Sequence, residues 1–138
     1  MPGPTVLIAD DHAIVAEGLR LLLKGHCELV GTVGDGPSLV AAALELRPDI
    51  IVADISMPGF DGIEAVRRLR AQGLTSKVIM LTMYADADVA DEALASGANG
   101  YVLKHSAGEE LLAAIREVSA GRTFVTRWLT GTKPPPAD

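Results

Sequence analysis

Cysteine is nearly absent from this chain of 138 residues, and so are long apolar runs. Cys27 is the single cysteine, so no disulfide can form within the chain, which is typical of proteins in a reducing compartment. The apolar runs are too short to span a bilayer, and the first residues lack the basic leader and apolar stretch of a signal peptide. We therefore expect a cytoplasmic protein with no membrane association.

Basic residues are also in short supply. The chain has 12 Lys and Arg against 18 Asp and Glu, which gives a formal net charge of −6. Because nucleic-acid binding depends on clustered Lys and Arg, we expect this segment to bind nucleic acid poorly by itself. Apolar residues, in contrast, make up 49% of the chain, enough to bury the core of one domain.

Two hydrophobic periodicities alternate along the chain. Short runs of β-branched and apolar residues predict buried strands, and stretches with apolar residues every three or four positions predict helices. Five strand–helix pairs follow one another, with strands at residues 5–9, 29–33, 49–53, 77–82 and 100–103. Repeated units of this kind predict an α/β fold with a parallel sheet, right-handed crossovers and helices on both faces.

Local signals set the expected boundaries of helices and of the domain. Asp61 with Glu64, and Ser106 with Glu109, are spaced as capping boxes at the start of the third and fifth helices. We expect the folded domain to span residues 1–121. Residues 122–138, which include three consecutive prolines, are interpreted as the start of a linker or a C-terminal tail.

Polar side chains recur where the predicted strands end. Asp10 and Asp11 follow the first strand, Asp54 follows the third, Thr82 ends the fourth and Lys104 follows the fifth. The carboxyl ends of parallel strands lie at one edge of a sheet, where ligands bind in folds of this kind. We therefore expect three carboxylates, a hydroxyl and an ammonium group to meet there.

Such a cluster has a chemical consequence. Two like charges about 4 Å apart cost about 4 kcal/mol at an effective dielectric constant of about 20, so the carboxylates must protonate or bind a cation. Carboxylate oxygens with room for water suit Mg²⁺. With Mg²⁺ and Lys104 neutralising charge, one carboxylate can attack a phosphoryl group, and the Thr82 hydroxyl can bind a phosphoryl oxygen.

Four motifs in this sequence resemble those of the receiver domain of bacterial response regulators. They are Asp10-Asp11, DISMPGFDG around Asp54, IMLTMY around Thr82, and GANGYVLKHS with Tyr101 and Lys104. The resemblance covers residues 5 to about 121 and implies a flavodoxin-like (CheY-like), doubly wound, five-stranded parallel sheet with strand order 2-1-3-4-5. The segment EELLAAIREVSAGRTFVT is similar to NarL/FixJ-type (LuxR-like) regulators, whose receiver precedes a helix-turn-helix domain.

The resemblance implies a role for each acidic residue. Asp54 is then the phosphoacceptor. Asp11 and Asp54, with the backbone carbonyl of Ser56, are expected to bind Mg²⁺, and Asp10 to act mainly through a metal-bound water. The three histidines are expected to face solvent, and none is assigned to a metal; they are His12, His26 and His105.

It also implies a switch. Lys104 is expected to pair with the phosphoryl group, Thr82 to move toward it, and Tyr101 to rotate inward into the space that Thr82 leaves. The Ala-rich fourth helix buries few large side chains and is expected to shift most easily. The implied function is a phosphorylation-activated signalling protein that takes phosphate from a sensor histidine kinase, dimerises when phosphorylated, and regulates transcription.

The output is expected to reach DNA only through a domain outside these 138 residues. A stand-alone receiver that acts through protein contacts is the alternative.

The chain is not expected to be an enzyme, although it should catalyse its own phosphorylation and dephosphorylation. A haloacid-dehalogenase phosphatase would need Asp-x-Asp where residue 56 is Ser, and a flavodoxin would need a Ser/Thr-rich loop in place of Asp10-Asp11.

Two positions depart from the receiver pattern. Met83 stands where many receivers have a small residue, so its side chain is expected to narrow access to the phosphoryl group and to alter autophosphatase kinetics. His105 follows Lys104 where many receivers have proline. A cis bond without proline costs ~3–4 kcal/mol, so the cis peptide typical of the family is not guaranteed here.

Overall fold

The computed structural model describes residues 3–83 and 85–126. All the strands run parallel, in the order β2-β1-β3-β4-β5-β6. The strands are β1 (Thr5–Ala9), β2 (Glu28–Val33), β3 (Ile50–Asp54), β4 (Lys77–Thr82), β5 (Gly100–Leu103) and β6 (Phe124–Val125). The helices are α1 (Ala13–Leu23), α2 (Gly36–Leu46), α3 (Gly62–Ala71), α4 (Ala87–Ser96) and α5 (Ala107–Ser119), and a 3₁₀ turn (Lys104–Ser106) precedes α5.

The predicted parallel α/β sheet and its order 2-1-3-4-5 are confirmed, and the structure adds a sixth strand at the edge. Strand β6 pairs with β5, Phe124 opposite Gly100 and Val125 opposite Tyr101. It lies beyond residue 121, in the segment interpreted as a linker, because a strand of two residues leaves no periodic signal. Residues 127–138 of that predicted tail lie outside the described residues.

The sheet is covered on both faces, and its central strands alternate between two cores. Leu7 of β1 packs in the core that faces α2, α3 and α4, whereas Val6 and Ile8 pack in the core that faces α1 and α5. All five residues of β3 are buried, as expected for a central strand of a parallel sheet. Helix α4 buries only Ala90 and Ala93, which agrees with its Ala-rich sequence.

One of the two predicted capping boxes forms only in part, and the other is absent. The Asp61 carboxylate caps α3 by accepting a hydrogen bond from the Glu64 backbone N–H at 2.8 Å. Ser106 makes no side-chain cap for α5, so that prediction was wrong. The physical reason is the 3₁₀ turn, which puts Ser106 in a helical conformation instead of the extended one that a capping side chain requires.

Two further findings, on the peptide bonds and on the helices, bear on the sequence predictions. Among the described residues there is no cis peptide bond, so the bond between Lys104 and His105 is trans. Within the described ranges, every helix is too short or too polar to cross a membrane.

Candidate functional site

Asp54 lies at the end of β3 with its side chain buried beside Lys104. The Lys104 ammonium donates a hydrogen bond to Asp54 Oδ2 at 3.0 Å and lies 3.2 Å from Asp10 Oδ2. Both carboxylates are almost fully buried, since the side chains of Asp10 and Asp54 are 1% and 5% exposed. The ends of β1, β3 and β5 thus bring together the groups that the sequence predicted to meet.

The turn between β1 and α1 places two more groups next to these carboxylates. The His12 backbone N–H donates to Asp10 Oδ1 at 2.9 Å, which fixes the turn. The His12 ring then lies with Nδ1 3.1 Å from Asp11 Oδ1 and 3.3 Å from Asp10 Oδ1. Its side chain is 64% exposed, as expected, but its contact with the acids was not predicted. A histidine at the start of a helix carries no sequence signal for that contact.

The cluster fits a divalent cation. Ligand atoms of Asp10, Asp11, His12 and Asp54 all lie within 4.8 Å of one another. The three carboxylates and the Lys104 ammonium sum to a charge of −2, which a divalent ion balances. Asp10 Oδ2 is buried, and among the described residues its one partner is the Lys104 ammonium at 3.2 Å, which also binds Asp54. Two buried carboxylates that share one ammonium are costly unless a further cation or water meets them.

The pKa values of Asp54 and Lys104 depend on the burial of both groups and on the sharing of one ammonium by two carboxylates. Burial raises the pKa of Asp54, and the hydrogen bond and charge of Lys104 and the Ser56 backbone N–H only partly oppose this. Burial alone lowers the pKa of Lys104, but the hydrogen bond and charge of Asp54, and then those of Asp10, outweigh it and raise that pKa. Lys104 therefore stays protonated and positively charged at neutral pH.

Thr82 and Tyr101 form a second contact beside the cluster. Asp54 pairs with Leu81 in the sheet, so Thr82 comes one residue later on the neighbouring strand. Burial raises the pKa of Tyr101 to about 12, against the opposing effect of a side-chain hydrogen bond with Thr82. Tyr101 is fully buried, so its ring already lies inward in this structure. The movement that the resemblance implies for these two residues stays a prediction.

An open cleft gives access to Asp54. It has a volume of about 340 Å³ and is lined by His12, Asp54, Ser56, Met83 and Lys104. Met83 stands at its rim with 74% of its surface exposed, where its bulk was expected to narrow the entrance. The Ser56 backbone N–H donates to Asp54 Oδ1 at 3.2 Å, and the predicted role of the Ser56 carbonyl as a metal ligand stays a prediction.

A larger cavity, about 530 Å³, is lined by Pro4, His26, Cys27 and the C-terminal half of α5, and contains none of the predicted site residues. Size alone therefore does not locate the chemistry. The smaller cleft is lined by the Asp54 carboxylate and the Lys104 ammonium, and Asp10 lies next to both.

Residues 6–116 match the family model described as the response regulator receiver domain. The chain belongs to this family. The receiver is similar to the oxygen regulatory protein NreC of Staphylococcus epidermidis, with 39% identity over 128 residues, 91% of this chain and 59% of that protein. NreC of Staphylococcus aureus is 38% identical over the same share of each chain. This receiver thus spans 59% of the length of the curated relatives it matches.

Solved structures agree with this assignment. A LuxR-family two-component response regulator from Aurantimonas is 35% identical to this receiver, with a TM-score of 0.84 over 88% of this chain and 89% of that one. The isolated receiver domain of RcsB from Salmonella enterica serovar Typhimurium, solved in the presence of the phosphomimetic BeF₃⁻, is 28% identical. It superposes with a TM-score of 0.85 over 96% of this chain and 99% of that one.

Proposed function

We propose that this receiver is a phosphorylation-activated switch that accepts a phosphoryl group on Asp54 in the presence of Mg²⁺. The observation that carries the proposal is the placement of Asp54, which lies at the open cleft with Lys104 at 3.0 Å. A buried structural ion pair would need neither the cleft nor the two further acids that follow β1.

The reaction is a transfer between a phosphodonor and a carboxylate. An Asp54 carboxylate oxygen forms the new bond to phosphorus, while the bond from phosphorus to the donor breaks and the donor leaves with the electron pair. Lys104 stays protonated because of its pKa, and so can hold a negatively charged phosphoryl oxygen near Asp54. The Thr82 hydroxyl is the next donor along the sheet edge.

The metal is proposed to be Mg²⁺. Asp10, Asp11 and Asp54 offer the oxygen ligands that it prefers, and the Ser56 carbonyl is the backbone ligand expected from the family. When bound, Mg²⁺ would neutralise charge on the carboxylates and on the phosphoryl oxygens. The chain is not proposed to turn over a separate substrate; it would catalyse only its own phosphorylation and dephosphorylation.

The switch is proposed to run from the phosphoryl group to the Thr82–Tyr101 contact. The phosphoryl group carries about −1.5 to −2 charges in place of the single charge of the Asp54 carboxylate, and its oxygens would draw the Thr82 hydroxyl away from Tyr101. Helix α4 is held by two buried alanines, so it is the helix that such a change would move most easily. Asp86 at its start already contributes to the electrostatics of Tyr101.

The partners are proposed from the family to which the chain belongs. We propose a sensor histidine kinase as phosphodonor, homodimerisation on phosphorylation, and an output in transcription that reaches DNA through a domain outside this chain. The protein would act in the cytoplasm. Sedimentation of the chain with and without a phosphoryl mimic tests the dimer, and a sedimentation coefficient that the mimic does not change would contradict it.

Intact-mass spectrometry after incubation with a small acyl phosphate tests the central step. Wild type and Asp61→Asn should gain the mass of one phosphoryl group only when Mg²⁺ is present, and Asp54→Asn should gain none. Asp61 is the matched control, because it is an exposed aspartate that caps α3 and asparagine also serves as a cap. A gain that persists in Asp54→Asn, or that needs no metal, would reject the proposal.

A further inference from the structure

His12 is the one nitrogen ligand within reach of the acids among the described residues that form the cluster. We infer that His12 is a metal-binding residue of this receiver, and that it extends the site from Mg²⁺ to first-row transition-metal ions such as Co²⁺, Ni²⁺ and Zn²⁺. The inference rests on the proposed divalent-cation site and goes further by naming a ligand and a class of metal.

The spacing of the ligand atoms supports it. In an octahedral complex with bonds of roughly 2.1 Å, neighbouring ligands lie ~3.0 Å apart and opposite ligands ~4.2 Å apart. His12 Nδ1 lies 3.1 Å from Asp11 Oδ1 and 3.3 Å from Asp10 Oδ1, which is the spacing of neighbouring ligands. The whole set lies within 4.8 Å, so small side-chain movements suffice for one ion to contact all of it.

A second observation points to a cation at the same place. Asp10 Oδ2 is buried, on a side chain that is 1% exposed, and among the described residues its one partner is the Lys104 ammonium at 3.2 Å, which also binds Asp54. The Asp10 carboxylate therefore has one oxygen beside the His12 ring and one whose only cation is shared with Asp54, so a further positive charge is favoured beside it. One metal ion next to the Asp10 carboxylate would be shared between that carboxylate and the imidazole.

The local backbone holds the ring in place. His12 is the residue before α1, in an extended conformation (φ −103°, ψ 109°), and its side chain does not cap the helix. Its own N–H is bound to Asp10 Oδ1 at 2.9 Å. The ring is thus left over the acids with its other edge in solvent, where an incoming ion can reach it.

The chemistry of the imidazole sets the class of metal. Carboxylates and carbonyls suit Mg²⁺ and Mn²⁺, whereas imidazole suits Zn²⁺, Ni²⁺ and copper, and affinities rise from Mn²⁺ to Cu²⁺ for a given set of ligands. Oxygen ligands alone already give part of this rise, and an imidazole ligand adds to it. With His12 in the set, the affinity for Co²⁺ should exceed that for Mg²⁺ by a margin that depends on the ring.

Isothermal titration calorimetry with MgCl₂ and CoCl₂ separately tests this on the full chain. The variants are His12→Gln, Asp54→Asn and, as the matched control, His26→Gln. His26 lies beside Cys27 in the other cavity, so it offers a second place where an imidazole could bind the added Co²⁺. Circular dichroism confirms that each variant is folded. Visible absorption of bound Co²⁺ reports whether a nitrogen ligand is lost.

His12→Gln should lower the ratio of Co²⁺ affinity to Mg²⁺ affinity by about tenfold or more, since even residues that only support a metal ligand are worth 10–100-fold. It should also change the Co²⁺ spectrum, and His26→Gln should change neither. An unchanged ratio in His12→Gln, or a loss in His26→Gln instead, overturns the inference while Asp54-dependent Mg²⁺ binding still stands. Mg²⁺ binding that Asp54→Asn does not weaken overturns the proposed function itself.

Discussion

Lys104 and Asp54 are 50 residues apart in sequence, yet the Lys104 ammonium donates a 3.0 Å hydrogen bond to Asp54 Oδ2. The same ammonium lies 3.2 Å from Asp10 Oδ2, so one positive charge holds together the ends of β1, β3 and β5. A single ammonium cannot neutralise three acids. The remaining negative charge is what makes the cleft suited to a divalent cation and a phosphoryl group.

The Lys104–Asp54 pair should show strong coupling in a double-mutant cycle. Lys104→Met leaves two buried carboxylates without their ammonium. We expect the free energy of unfolding to fall by on the order of 2–3 kcal/mol. This is less than the full cost of breaking a buried ion pair, because the Lys104 side chain is 15% exposed. In the Asp54→Asn background the same change should cost at least ~1 kcal/mol less. Urea unfolding with a chelator present measures both values. Strictly additive losses would show that the two groups do not interact in solution.

The stability of the protein should depend on the charge of Asp54. Burial raises the pKa of this carboxyl above its ordinary value, so the folded chain holds the proton more tightly than the unfolded chain does. Between the two pKa values the folded state binds more protons, and the stability that Asp54 contributes therefore falls as pH rises. Asp54→Asn has no carboxyl at this position, so its stability does not fall with pH for this reason. Its stability relative to wild type should thus rise from pH 3 to pH 7 when both are unfolded in urea with chelator. A difference that is flat or falls with pH would contradict this.

Gly62 should be required for the position of Asp54. A Cβ at Gly62 would meet the Asp54 carbonyl oxygen and would lie 2.6 Å from Met80 Cε, so Gly62→Ala must displace the end of β3. We expect a loss of about 1–3 kcal/mol, as for overpacking in a core. Gly18→Ala is the control, because a Cβ at this exposed position of α1 meets nothing within 4 Å. It should stabilise by ~0.5–1 kcal/mol. Thermal unfolding compares the two, and equal effects would refute the close contact.

Met83 should protect the aspartyl phosphate from water. Its side chain lines the cleft above Asp54, so Met83→Ala would open the entrance and shorten the lifetime of the phosphorylated protein severalfold. The decay is followed by intact mass after removal of the phosphodonor. Leu21→Ala serves as the control, because Leu21 is another exposed apolar residue and does not line the cleft. Equal lifetimes in wild type and Met83→Ala would end this account of Met83.

The fold could be predicted where local pattern and buried surface agree. The sequence predicted strands β1, β4 and β5 at their observed residues. In a chain of βαβ units, a short run of β-branched and apolar residues between turn residues indicates a buried strand. Strand β6 was missed, since Phe124 and Val125 form a strand only through their pairing with β5. The position of Thr126 also comes from tertiary structure: its N–H donates to the Tyr101 carbonyl and its hydroxyl to Glu110.

The site could be predicted to the extent that strand ends determine it. Asp10, Asp54 and Lys104 meet because each follows or ends a strand of one parallel sheet. The contacts of His12 depend on how the turn after β1 orients a ring, and the Ser106 cap failed because of a 3₁₀ turn. Likewise, Arg70 donates to the Gly97 carbonyl and to Asn99 Oδ1, joining α3 to the start of β5 in a way that no periodicity indicates.

Beryllofluoride binding tests the central claim most directly, because a stable complex needs the carboxylate nucleophile and the divalent cation at once. Fluorine NMR of the chain with BeF₃⁻ and Mg²⁺ should show one bound species per chain in wild type and Asp61→Asn, with the signal lost in Asp54→Asn or on removal of Mg²⁺. A bound signal that survives the loss of Asp54, or no bound signal in wild type with Mg²⁺, would contradict a phosphoryl-accepting metal site at this end of the sheet.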